Sequence, residues 1–248
     1  MLVKTNKRSR QKGFSLVESM VGITLGLFVV TGALVLMSTM TKNNRDLMVE
    51  TRLIQDLRTS SDLVARDIRR AGYWASAASG VYTPGSMAPI PQNAYRNIIP
   101  GSCDDASAVA AALSSPASTP TLSSLCYYIE QGTPNNATST LEMFGFKLGT
   151  GPNDGNKAGV LYSFVAGNTP QALSDPNTVT ITQFNLIPSP MTISLSSNCV
   201  GTPANPPQVV VRAFEIELRG HPPSDNNLVR AVRTKARVRN DAVSGSCS

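Results

Sequence analysis

Residues 13–41 read GFSLVESMVGITLGLFVVTGALVLMSTMT. Glu18 is the one formal charge in this stretch, and the 23 residues between Glu18 and Lys42 carry none. A helix of about 20 apolar residues is enough to cross the hydrocarbon core of a bilayer. Before it, Lys4, Lys7, Arg8, Arg10 and Lys12 are basic, and no acid accompanies them. A secretory signal peptide has an apolar region of roughly 7–15 residues, closed by a small-residue cleavage site. The run here is longer, and no A-x-A site closes it. A carboxylate at the start of a membrane span is expensive and marks a functional position. Glu18 is therefore the first candidate residue, and a plain single-pass anchor would leave it unexplained.

The apolar run is predicted to continue as helix beyond the span. Residues 42–71 (KNNRDLMVETRLIQDLRTSSDLVARDIRRA) contain neither Pro nor Gly. Leu47, Leu53, Ile54, Leu57, Val64 and Ile68 follow a 3.6-residue period, with Ser61 in the gap. Arg66, Arg69 and Arg70 suit the negative end of a helix dipole, and Gly72 is a plausible C-cap. One helix from about Phe14 to Ala71 would be roughly 87 Å long. Within the span, Gly22 and Gly26 form a GxxxG pair with Gly32 beyond, a pattern that permits close helix approach in lipid.

Gly13-Phe14-Ser15-Leu16-Val17-Glu18, with the basic leader before it and the apolar run after it, resembles the class III signal of type IV prepilins and pseudopilins. The resemblance implies cleavage between Gly13 and Phe14 by a prepilin peptidase at the cytoplasmic face. It also implies N-methylation of Phe14 and retention of the helix as a filament core. Glu18 would then pair with the new terminal amine, within a subunit or between neighbours. An unpaired carboxylate and an unpaired ammonium are each costly in lipid, and pairing removes much of that cost. The implied partners are the prepilin peptidase, other minor and major pilins, the inner membrane and the pilus assembly machinery.

Composition agrees with an exported body. The formal charge of the 248-residue chain is +6, and five of its positive charges lie in residues 1–13. Their removal leaves about +1, so the basic balance is largely a targeting effect, and nucleic-acid binding by the mature domain is not expected. The positive-inside rule keeps the leader cytoplasmic and sends the chain beyond the span to the periplasm and then the cell surface. Cys103, Cys126, Cys199 and Cys247 all fall in that part, with no CxxC pair. In an oxidising compartment such a set favours disulfides over metal. Of three possible pairings we favour Cys103–Cys126, which closes a short Ser/Ala/Pro-rich loop, and Cys199–Cys247, which ties down the C-terminal tail. Each would contribute roughly 2–4 kcal/mol.

From Gly72 the pattern changes. Residues 74–126 read as a long irregular connection, with a short helix at 106–113. Strand candidates follow at Leu125–Glu130, Leu141–Leu148, Gly159–Val165 and Thr178–Leu186, and Asn153-Asp154-Gly155 is a turn signal. Val209–Arg219 and Leu228–Arg239 read as the two arms of a hairpin, with Val211, Ala213, Ile216 and Leu218 on the inner face. The expected fold is α+β: a long N-terminal helix, about 14–71, packed on an antiparallel sheet. The expected organisation is a leader at 1–13, a membrane or filament-core helix at 14–41, an amphipathic continuation at 42–72 and a β-rich domain at 73–248.

The run from Leu63 to Trp74 (LVARDIRRAGYW) resembles the A-R-D-[IL]-R-x-A-G-Y-W stretch of PilW-type minor pilins, and Arg212–Arg219 (RAFEIELR) fits the same group. That resemblance implies a subunit that primes pilus assembly, with a place at the tip. Two other readings share the signal: a J-type minor pseudopilin of type II secretion, and an adhesive or binding module that uses the prepilin route. An enzyme is not expected. The one histidine, His221, has no motif partner, and no HExxH, GxSxG or P-loop is present. Asp104-Asp105 and Asn153-Asp154 are read as turn chemistry. No metal and no cofactor are expected.

Overall fold

A computed structural model describes residues 13–80, 93–96, 98–100, 123–151, 156–166, 169–199 and 201–245. One helix, α1 (Leu16–Arg70), is followed by eleven strands and several short 3-10 turns among these residues. Contacts divide the chain between Met48 and Val49 into two units.

In the first unit the apolar residues from Phe14 to Met40 are all exposed. Among the described residues, α1 is the single helix long and apolar enough to cross a membrane. Four threonines of this unit satisfy their own hydroxyls. The hydroxyls of Thr24, Thr31, Thr39 and Thr41 donate to the carbonyls of Val21, Leu27, Val35 and Met37 at 2.8–3.0 Å. Polar atoms closed onto the backbone are compatible with lipid.

In the second unit the helix buries Leu53, Leu57, Ser60, Ser61, Val64, Ala65 and Ile68 on one stripe. That is the predicted face, with two differences. Leu47 lies in the first unit and is exposed, and Ile54 is only half-buried. Ser61 is fully buried without breaking the stripe, because its hydroxyl donates to Thr234 Oγ1 at 2.8 Å. Burying a hydroxyl is tolerable when it keeps a hydrogen bond.

Three antiparallel sheets complete this unit. The first is a five-stranded meander of β1 (Ile98–Pro100), β2 (Ser124–Tyr128), β3 (Met143–Leu148), β4 (Leu161–Val165) and β5 (Gln171–Ala172), in that order. The second places β9 (Ala213–His221) between β10 (Arg230–Arg237) and β6 (Thr180–Pro188). The third places β8 (Gln208–Val211) between β11 (Ala242–Ser244) and β7 (Met191–Ser194). The expectation of one long helix with antiparallel sheet, an α+β fold, is met.

Alternation along each strand decides which residues meet the helix. Leu125 and Tyr127 of β2 and Phe146 of β3 join the helical stripe, as do Phe214, Ile216 and Leu218 of β9. Cys126 and Tyr128 point to the opposite face of the first sheet, with Phe164 and Met143. Tyr127 and Phe144 are direct cross-strand partners, stacked with ring centroids 6.0 Å apart. On β6 the buried residues are Ile181, Phe184 and Leu186; a register shift between Ile181 and Gln183 accounts for the three-residue step.

The C-terminal hairpin differs from its prediction. β9 and β10 pair from Ala213↔Arg237 to Gly220↔Arg230, but the first arm is two strands, not one. Its leading part, β8, pairs with β7 and β11 in another sheet, and the break falls at Arg212. The inward residue is Phe214 rather than Ala213. Within 74–126, read as irregular, the structure forms β1 and 3-10 turns at Ala77–Gly80 and Ala94–Arg96. The helix predicted at 106–113 and the turn at 153–155 lie outside the described residues.

Candidate functional site

Gly13, Phe14 and Ser15 precede the helix as non-helical chain, and Phe14 is 82% exposed. Glu18 lies in the first helical turn. A carboxylate there meets the free N–H groups and the positive end of the dipole. A side chain at Gly22, Gly26 or Gly32 would meet nothing within 4 Å, so nothing within the chain requires a glycine at those positions.

A second group of motif residues gathers where α1 ends. Gly72 takes a left-handed conformation, with φ +72°. Its N–H does not return to the helix but donates to the Tyr128 carbonyl at 2.8 Å. Its own carbonyl accepts from Asn93 Nδ2 at 2.9 Å and from Asn240 Nδ2 at 2.6 Å. A Cβ here would stand 3.3 Å from both Arg212 Nη2 and the Tyr95 carbonyl. Gly72 is thus a C-cap, as expected, and also a junction of four segments. Trp74, two residues on, is buried.

Two buried carboxylates fix the chain beyond this turn, and neither was singled out from the sequence. Glu130 Oε2 accepts from the Ala75 N–H at 2.6 Å. Its Oε1 accepts from the N–H groups of Asn135 and Asn136 at 3.1 and 3.3 Å. Burial works to raise its pKa, but these backbone donors outweigh it and hold the carboxyl below the ordinary value. Glu142 accepts from the Gln131 and Ser139 N–H groups, both at 3.0 Å. Between them Tyr95 is fully buried, its hydroxyl 3.0 Å from Asn135 Oδ1 and from the Ala137 carbonyl. Burial, then the charges of Glu142 and Glu130, push its pKa up to about 12. The sequence signal that could have found these acids is weak: each lies just outside a strand, Glu130 after β2 and Glu142 before β3, where alternation gives no reading.

Arg212, at the strand break, donates to the carbonyls of Arg96 and, at 2.7 Å, Asn240. Burial lowers its pKa to about 10. These groups are spent on backbone partners, so their chemistry is architectural. Cys126 and Cys199 are each disulfide-bonded. Cys103 and Cys247 lie outside the described residues, and the expected pairing with them. His221 keeps Nδ1 2.9 Å from the Pro222 carbonyl.

The sequence has counterparts among known families. Residues 46–238 match the family described as prepilin peptidase-dependent protein B. The chain belongs to that family. Residues 8–34 match the prokaryotic N-terminal methylation motif, which covers Gly13, Phe14 and Glu18 together with the first part of α1. No curated protein and no solved structure matches the chain. The prepilin peptidase-dependent protein B match begins within α1 and runs through the Gly72 junction to the last residues of the core, ending at Val238. The two matches together identify a pilin-like protein with an apolar N-terminal anchor that depends on prepilin peptidase.

Proposed function

We propose that this member of the prepilin peptidase-dependent protein B family is a minor pilin of the PilW type. It is cut between Gly13 and Phe14, methylated at the new amine and used to prime type IV pilus assembly, with a place at the pilus tip. The observation that carries this reading is an N-terminal methylation motif at the head of an apolar helix whose residues 14–41 are all exposed. Such a helix needs lipid or neighbouring helices around it, and extraction from one into the other is what a pilin does. The bare surface around Gly22, Gly26 and Gly32 supports close packing by other subunits.

The remaining assignments rest on this reading. Glu18 neutralises the methylated amine of Phe14 or of a neighbour and so guides the subunit into place. The basic leader stays cytoplasmic and the β-rich unit is periplasmic, then at the surface. Disulfides at Cys126 and Cys199 support an oxidising compartment. The chain serves as substrate of a peptidase and as a building block, not as an enzyme.

The test is intact-mass and N-terminal analysis of the chain from membranes and from sheared pili, with and without the peptidase. Methylated Phe14 as first residue, at low abundance in sheared pili, is the expected result. Processed chain confined to membranes, with piliation intact after deletion, would move the assignment to a type II secretion pseudopilin. An uncut chain would overturn it.

A further inference from the structure

Beside the Gly72 junction lies a cleft of about 760 Å³, lined in part by Arg66, Arg69, Arg70, Arg239, Tyr73 and Ile129. Four guanidinium groups there share the wall with one carboxylate, Glu130. That carboxylate is already committed to the N–H groups of Ala75, Asn135 and Asn136. The helix end does not need the arginines either. The carbonyls of Ile68, Arg69 and Arg70 accept from the N–H groups of Ala71, Arg239 and Tyr73. Asp67 holds Arg66 and Arg70 only loosely, at 3.6 and 3.8 Å, and both are more than half exposed. Arg69 and Arg239 are exposed, with no side-chain partner among the described residues. The cleft is therefore a concave surface with surplus positive charge, an apolar floor at Ile129 and Ala71, and a half-exposed ring at Tyr73.

We propose that this cleft binds an acidic segment of a neighbouring protein subunit, one that carries Asp or Glu beside an apolar or aromatic residue. The proposal rests on the pilin-like reading above and deepens it by naming the partner's chemistry. Arginine forks suit carboxylates through paired hydrogen bonds. The apolar floor and Tyr73 give a side chain next to the acid a place to be buried. A nucleic acid would need a long basic stripe, and the body without its leader carries only about +1.

The experiment uses the full chain in detergent and a fluorescent peptide of alternating Glu and Phe, read by anisotropy at low and moderate salt. A matching Gln/Phe peptide and a single-stranded oligonucleotide serve as competitors. Saturable binding of the acidic peptide is expected, absent for the Gln peptide. Arg69→Glu with Arg239→Glu should weaken it by about tenfold or more, while Arg58→Glu, outside the cleft, leaves it unchanged. Thermal melts of each variant check folding, and Arg69→Gln with Arg239→Gln replaces the double reversal if that one melts early. Equal affinity in the variants, no saturable binding, or preference for the oligonucleotide overturns the proposal. Cleavage at Gly13–Phe14 is scored on the same preparations. An uncut chain that still binds the peptide indicts the pilin-like reading, and a cut chain that does not bind it indicts the cleft.

Discussion

The carboxylate of Glu130 takes the main-chain N–H of Ala75 at 2.6 Å, while the Glu130 N–H donates to the Tyr73 carbonyl at 3.1 Å. One residue just beyond β2 thus holds both ends of the Tyr73–Ala75 segment. This reciprocal grip sets the path of the chain after α1 and keeps Trp74 buried. Glu130→Ala would strand three backbone donors, two of them on Asn135 and Asn136. Loss of about 2–3 kcal/mol is expected, read as a lower midpoint in urea.

The same residue gives the fold an acid limit. Its folded pKa lies below the ordinary value of 4.5, so its contribution is complete above that value and is lost as pH falls through the folded pKa. Melting temperature should drop on acidification below about pH 4.5 in the natural chain. Glu130→Gln should start lower and show a shallower drop; an unchanged acid slope would rule out this carboxylate as the source.

Gly72→Ala combines strain with crowding. A residue with a side chain must hold φ +72°, and its Cβ would press on Arg212 and the Tyr95 carbonyl at 3.3 Å. A loss of roughly 1–3 kcal/mol is expected. Asn at this position should be tolerated better in φ but not in space, so denaturation midpoints should rank Gly, then Asn, then Ala.

Arg212 joins three segments through two carbonyls. Arg212→Leu keeps bulk but leaves the Arg96 and Asn240 carbonyls without this donor. About 2–4 kcal/mol of stability should disappear. Arg212→Lys retains a charge without the fork and should recover only part of it. Hydrogen exchange should rise at β8 and at the residues around Asn240 before it rises in β9.

Ser61, buried, and Thr234, half-buried, form a hydroxyl pair between α1 and β10. Ser61→Ala and Thr234→Val should each cost about 1 kcal/mol, and the double variant less than the sum. Full additivity in the cycle would show that the 2.8 Å contact contributes nothing.

Glu18→Ala separates processing from assembly. Cleavage after Gly13 should continue, because the proposed cut lies at the Gly13–Phe14 bond and not at Glu18, while incorporation into sheared pili falls sharply. Incorporation at the natural level would remove Glu18 from the assembly step.

The N-terminal helix of this protein was legible because its information is local. A charge-free run, one acid at a fixed offset and a 3.6-residue stripe determine a helix and its two environments whatever it later touches. Gly72 was legible too, as a helix stop. Between Ser124 and Pro188, β2, β3, β4 and β6 were found by alternation, with ends shifted by a few residues, while the short β5 (Gln171–Ala172) was not. Alternation could not show that Val209–Arg219 divides between two sheets, because both halves read as strand and the break is imposed by the partners of Arg212 on distant segments. Nor could it show Glu130 and Glu142 as buried anions, since their donors come from Ala75, Gln131, Ser139 and the Asn135–Asn136 turn. From the sequence, Arg66, Arg69 and Arg70 of LVARDIRRAGYW read only as complements to the helix dipole. Only when Arg239, about 170 residues later, caps the Arg69 carbonyl do they become one wall of a charged cleft. The sequence by itself determined the anchor, the cleavage signal and the helical stripe, because each is set by neighbours within a few turns. The tertiary structure alone decided which polar groups are buried and which cations stay unpaired, because hydrogen-bond partners are chosen by where the chain returns.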